Sequence, residues 1–117
     1  MKKTFFTTIL AITLIFAFFG CKKTTYNTTP TAGTPGTNEI WIQNNAFTPS
    51  SITVAVNTTI KWTNKDGVSH TVTSNSSLFE SGTIVGSGTY SHQFTTAGTY
   101  PYHCSIHSSM TGTVIVQ

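Results

Sequence analysis

The stretch Gly98-Thr99-Tyr100-Pro101-Tyr102-His103-Cys104-Ser105-Ile106-His107-Ser108-Ser109-Met110 decides how this chain reads. Its first half is a β pattern rich in aromatic residues. Its second half is a serine-rich loop, and a second β pattern follows at Thr113–Gln117. Alternation puts Tyr100, Tyr102 and Cys104 on one face of the first strand and Thr99, Pro101 and His103 on the other. If Cys104 points into the domain, His103 points out of it. Proline cannot donate to a strand ladder, so the strand is expected to be irregular or bulged at Pro101.

The same texture continues upstream to residue 38. Ile40 and Ile42 alternate with Trp41 and Gln43. Ile52, Val54 and Val56 alternate with Thr53 and Ala55, and Ile60 and Trp62 with Lys61 and Thr63. Further runs occupy His70–Ser74 and Thr89–Phe94. All are short, β-branched or aromatic, and separated by Asn, Gly, Ser, Pro and Asp turns. No amphipathic helical stretch interrupts them. The expected fold is an all-β, Greek-key β-sandwich over residues 38–117. Trp62, Phe47, Phe79, Phe94 and Tyr100 are expected to fill the space between its sheets.

The chain has two cysteines and two methionines, and one methionine is Met1. Cys104, His107 and Met110 therefore place a thiolate, an imidazole and the one remaining thioether on a single seven-residue loop. His70 follows the turn Lys65-Asp66-Gly67-Val68-Ser69 and opens a strand. Taken singly, each residue has a plainer use: a surface histidine, a buried thiol, a packed methionine. Taken together they are two imidazoles, one thiolate and a weak axial thioether, a donor set suited to copper in both oxidation states. Zinc competes for His2Cys sites, but thioether is a poor zinc ligand, so water would have to complete its shell. His92 and His103 are poor ligand candidates, the first on a surface run and the second facing away from Cys104.

Several segments together resemble the cupredoxins of the plastocyanin, pseudoazurin and amicyanin group, over nearly all of residues 39–117. They are Phe47-Thr48-Pro49, Ile60-Lys61-Trp62-Thr63-Asn64, Ser69-His70-Thr71-Val72-Thr73, Phe79-Glu80-Ser81-Gly82, Gly98 through Cys104, and His107 through Met110 with Gly112. The Cys-x2-His-x2-Met loop has the short, amicyanin-like length. The resemblance implies a cupredoxin-like sandwich holding one type 1 copper ion on His70, Cys104, His107 and Met110. It also implies that the His107 ring edge is exposed and serves as the electron exit. Two positions depart from the family. Thr71 stands where asparagine often ties the two ligand segments together, a tie a threonine hydroxyl could replace. Ile106 stands where proline is common, and so keeps an N–H able to donate to the Cys104 sulfur. Tyr100, in Ala97-Gly98-Thr99-Tyr100, resembles the tyrosine corner of Greek-key proteins.

The N-terminus has a different character. Lys2 and Lys3 precede a short apolar run, Thr4 to Phe19, so residues 1–20 read as a signal peptide. Phe18-Phe19-Gly20-Cys21 resembles a bacterial lipobox, with Phe18 where leucine is usual, and the resemblance implies that Cys21 is lipidated; the alternative is an uncleaved membrane anchor with an incidental cysteine. With Cys21 lipidated and Cys104 on metal, no pair remains for a disulfide. Residues 22–37 are rich in threonine, proline and glycine and read as a tether.

The net charge of +3 comes from that end: Lys2, Lys3, Lys22 and Lys23 are four of the six basic residues. Residues 38–117 carry only Lys61 and Lys65 against Glu39, Asp66 and Glu80, and the chain has no arginine. A nucleic-acid-binding stripe is excluded. A docking face is expected to be apolar, built from Ala46, Phe47, Val68 and Ile106 around His107. The chain is thus expected to be a monomeric, membrane-tethered blue copper protein in the bacterial cell envelope, its domain facing the periplasm or exterior. It would carry single electrons to or from a redox protein such as a cytochrome, a terminal oxidase or a copper reductase. The alternative is copper binding or delivery without a redox partner. An enzyme would need an open coordination position or a second metal cluster.

Overall fold

The computed structural model describes residues 33–117. The signal segment, Cys21 and the tether up to residue 32 lie outside them. The described residues contain eight strands and no helix: β1 Glu39–Gln43, β2 Ala46–Thr48, β3 Ser51–Val54, β4 Thr58–Asn64, β5 Thr73–Ser74, β6 Thr89–Phe94, β7 Gly98–His103 and β8 Thr111–Val116. One sheet has the order β2-β1-β4-β6 and the other β3-β8-β7-β5. Both are mixed, with β1 parallel to β4 and β3 parallel to β8. The fold is an all-β, two-sheet sandwich, as expected from the strand pattern.

Alternation explains which residues meet between the sheets. Ile40 and Ile42 of β1, Ile60 and Trp62 of β4 and Phe94 of β6 point inward from one sheet. Val54, Tyr102, Val114 and Val116 point inward from the other. Trp62 lies at the centre, edge-on to Tyr102 with ring centroids 5.6 Å apart and 6.5 Å from Phe94. A buried aromatic of this size is worth about 3–5 kcal/mol against alanine. Gly112 faces Tyr102 across the β7–β8 ladder, where a Cβ would come within 2.3 Å of the phenol. A side chain at 112 would therefore push this ring out of the core.

Three local expectations need correction. Strand β3 stops at Val54, and Val56 is exposed, because Asn57 adopts a left-handed backbone (φ 69°) that turns the chain into β4. The run His70–Ser74 is a strand only at Thr73–Ser74. His70 instead forms an isolated bridge with Ile84, its N–H donating to Ile84 O at 3.1 Å and its carbonyl accepting from Ile84 N at 2.8 Å. Finally, β7 runs through Pro101 with unbroken register, Pro101 opposite Thr113. The Pro101 carbonyl accepts from Asn75 N at 3.0 Å, on the β5 side. Its nitrogen faces that side too, so the ladder with β8 loses no donor.

The tyrosine corner is present: Tyr100 donates its hydroxyl to Thr96 O at 2.6 Å. It pins the β6–β7 turn. Strand β7 then delivers Cys104 to the opposite end of the sandwich.

Candidate metal centre

Cys104 immediately follows β7 and keeps its inward phase, so its side chain is fully buried. The loop after it closes on itself: Cys104 N–H donates to Met110 O at 3.0 Å, and Met110 N–H to His107 O at 2.9 Å. These two bonds fold His107 and Met110 back toward the sulfur before β8 begins. His70 arrives from the other side, at the end of the β4–β5 connection, and is fully buried.

Cys104 Sγ lies 3.9 Å from His70 Nδ1 and 3.8 Å from His107 Nδ1. All three donor atoms fall within 4.8 Å of one another. Bonds from a metal to thiolate and imidazole are about 2.3 and 2.0 Å, so one ion can sit between them. The two imidazole rings stand 4.8 Å apart, tilted by 47°. Met110 is buried at the same end, leaving His107 as the half-buried member of the set. Two imidazoles and a thiolate with a thioether beside them fit a type 1 copper ion.

The environment of the sulfur favours thiolate. Burial pushes the Cys104 thiol up, but the amides of Thr71 and His107 and the imidazoles of His70 and His107 more than offset this, bringing it down to about 6. The Thr71 N–H stands 3.3 Å from Sγ. The Ile106 amide, expected from the sequence to serve the sulfur, makes no such bond among the described residues. The tie between the ligand segments, in doubt at Thr71, is present: Ser105 N–H donates to Thr71 Oγ1 at 2.7 Å. A hydroxyl chain extends it, Thr71 Oγ1 to Thr73 Oγ1 at 3.1 Å and on to Ser105 Oγ at 3.0 Å.

Asp66 was not singled out in the sequence, where it reads as a turn residue. Its carboxylate lies 3.0 Å from His70 Nε2 and also accepts the amides of Asn44 and Asn45. Burial pushes its carboxyl up, and these three partners more than reverse that, leaving it below the ordinary aspartate value. An acid four residues before the ligand histidine, across a turn, was the available signal.

The remaining candidates separate cleanly. His103 points to the outer face, its Nδ1 2.6 Å from Asn75 Oδ1. His92 packs between Phe79 and Phe94 rather than at the centre. Of the expected docking residues, Ala46, Val68 and Ile106 are exposed, but Phe47 is only 4% exposed. Phe47 packs edge-on to Tyr102 at 4.7 Å, which removes it from the surface set. Val85 joins the set instead. It is exposed, and its neighbour Ile84 is bridged to His70; the Asn64 side-chain amide donates to both Val68 O and Ile84 O.

Comparison with known proteins agrees with this geometry. A plastocyanin from Scenedesmus fuscus is 33% identical over 84 residues, covering 61% of this chain and 86% of the plastocyanin. An amicyanin from Paracoccus denitrificans is 35% identical over 69 residues, covering 55% of this chain and about half (53%) of the amicyanin. Among solved structures, the Cu(I) form of an amicyanin variant superposes with a TM-score of 0.65 at 28% identity, covering 68% of this chain and 80% of that one. A purple cupredoxin from Nitrosopumilus maritimus gives 0.63 at 29% identity, over 68% and 98% of the two chains. The family model described as a cupredoxin-like domain matches residues 9–116, and the chain belongs to that family.

Proposed function

We propose that this chain is a blue copper protein that carries single electrons between redox partners in a bacterial cell envelope, held to a membrane through a lipid on Cys21. The observation that carries the reading is the convergence of His70 Nδ1, Cys104 Sγ and His107 Nδ1 within 4.8 Å, beside the buried Met110. Copper held there would supply a one-electron Cu(I)/Cu(II) couple.

The residues suit that use in three ways. His70, Cys104 and Met110 are buried and fixed from two separate segments, so the donors need little rearrangement when charge changes. The hydrogen bond from Thr71 and the Ser105–Thr71 tie hold the sulfur and its loop in place. His107 is the ligand nearest solvent, and the exposed, apolar Ala46, Val68, Val85 and Ile106 belong to segments that adjoin the donors. Lys61 is paired with Glu39 at 3.0 Å, and Lys65 lies over the Trp41 ring. A partner would dock there by apolar contact over a small area, as transient redox partners do. Burial of three of the four donors also favours a carrier over an enzyme, since substrate could not reach the ion past them.

The test is direct. The chain without residues 1–37, given Cu(II), should turn intensely blue and bleach with ascorbate. A colourless protein, or one that retains zinc in preference, overturns the carrier reading. Anchoring is tested separately: the full chain expressed in bacteria should incorporate fatty acid and sediment with membranes, and Cys21→Ser should do neither. Unaltered labelling in that variant would refute lipidation at Cys21.

A further inference from the structure

Asp66 is the one carboxylate that reaches the candidate metal centre. Its two oxygens face three donors from two directions. Oδ1 accepts Asn44 N–H at 2.7 Å. Oδ2 accepts Asn45 N–H at 3.0 Å and lies 3.0 Å from His70 Nε2. The two amides come from the β1–β2 turn, where Asn44 and Asn45 both adopt left-handed backbones, φ 56° and 54°. Consecutive amides in such a turn converge on one anion. Asn is among the few residues that take this conformation readily.

The carboxylate is also held from behind. Asp66 N–H donates to Asn64 Oδ1 at 2.9 Å, and Asn64 is fully buried at the end of β4. Its side-chain amide donates in turn to Val68 O and Ile84 O. Two separate segments therefore hold Asp66 before His70 is considered, the β1–β2 turn and the end of β4, and Asn64 of the latter is itself anchored on Ile84 O.

His70 has two ring nitrogens and no solvent contact. A carboxylate oxygen at Nε2 accepts and cannot donate, so the ring proton belongs on Nε2. That leaves the lone pair on Nδ1, the atom that faces Cys104 Sγ at 3.9 Å. Hydrogen bonding to the distal nitrogen fixes tautomer and ring orientation and makes the ligating nitrogen a better donor. A negative charge behind the ring favours the more highly charged state of an ion in front of it.

We propose that Asp66 is a positioning residue for the centre: it clasps His70 to the β1–β2 turn, presents Nδ1 to the ion and biases the site toward Cu(II). The claim rests on the copper reading for its redox part and on geometry alone for its positioning part. The two parts have separate readouts.

The positioning part is read on the metal-free full chain by 15N NMR of the histidine side chains. His70 should be a single tautomer protonated at Nε2 in the wild type, and should become a mixture of tautomers in Asp66→Ala. A wild-type His70 protonated at Nδ1 overturns the clasp without any variant having to fold. The redox part is read on the copper-loaded full chain. Asp66→Asn, close in shape but uncharged, should lose about tenfold more affinity for Cu(II) than for Cu(I), which is a rise of about 59 mV in potential. Asp66→Glu, which keeps the charge, should recover part of the loss. A blue protein whose potential does not move in Asp66→Asn overturns the bias while leaving the carrier reading intact. A wild-type chain that takes up no copper refutes the carrier reading and the bias with it, and the tautomer measurement still decides the clasp.

Discussion

Ser105 donates its backbone N–H to the Thr71 hydroxyl at 2.7 Å, and this bond joins the two segments that carry the metal donors. Each residue is the immediate neighbour of a ligand, Ser105 of Cys104 and Thr71 of His70. Thr71 thereby acts twice, since its own N–H lies at the Cys104 sulfur. Thr71→Val keeps the shape and the backbone N–H but removes the hydroxyl, leaving the Ser105 amide without its acceptor. Copper affinity should fall about tenfold, measured by competition with a chelator. Thr71→Ser should restore it, and equal affinity in all three proteins would show that the tie is idle.

Metal removal should reveal how far the centre holds the sandwich together. The His70 segment meets the Cys104–Met110 loop through a few hydrogen bonds of Thr71 and Thr73, so a bound ion adds a link between two parts of the chain and stabilises the folded state by mass action. Binding at about one hundred times Kd contributes about 2.7 kcal/mol. For a domain of this size the copper form should melt on the order of 10 °C above the metal-free form. Coincident melting curves would contradict this.

Electron exchange should depend on the apolar surface beside His107. Ile106 and Val85 are exposed and are not among the metal donors. Ile106→Lys and Val85→Lys place a charge in the proposed docking face, and should slow electron transfer to an added c-type cytochrome about tenfold with the blue absorption unchanged. Leu78→Lys is the control. Leu78 is equally exposed but borders the groove lined by Phe94, Thr96 and Tyr100, and its rate should match the wild type. A normal rate in the Ile106 and Val85 variants would place docking elsewhere.

Glu39 should make stability depend on acid. The Thr63 hydroxyl, donating at 2.6 Å, is the largest influence; burial opposes it, and the Lys61 ammonium and the Gly36 amide add to it. Together they hold the carboxyl at about 2, against an ordinary 4.5. A depressed value in the folded state means stabilisation that is complete above the unfolded pKa and is lost as pH falls from about 4.5 toward 2. With screening at this partly exposed pair, the effect is on the order of 1–2 kcal/mol. Urea unfolding of metal-free protein should show Glu39→Gln less stable than wild type at pH 7, with the gap narrowing by pH 3. A gap that stays constant with pH would assign the loss to something other than ionisation.

Much of this was legible residue by residue. The spacing Cys104-x2-His107-x2-Met110 is local, and a seven-residue loop can bring its donors to one point whatever surrounds it. The alternation in β1, β4 and β7 correctly assigns Ile40, Ile42, Ile60, Trp62, Tyr102 and Cys104 to the interior, because the side-chain period of a strand is fixed by its backbone. Alternation misled at Val56, where a left-handed Asn57 ends the strand first. A general rule misled at Pro101, whose nitrogen happens to face away from the β7–β8 ladder.

Pattern along the chain was enough for the sandwich, for the inward faces of β1, β4 and β7 and for the donor set His70, Cys104, His107 and Met110. Periodicity and short spacing encode those, and they survive without knowledge of how the strands pair. What surrounds the donors came from the folded chain alone: Asp66 behind His70, Ser105 on Thr71 from 34 residues away, Phe47 buried against Tyr102, and Val85 exposed next to the Ile84 bridge. Each of these depends on where turns stop and on register between strands distant in the chain. A short polar side chain takes whichever backbone donor the fold brings within 3 Å, and no one-dimensional pattern specifies which donor that will be.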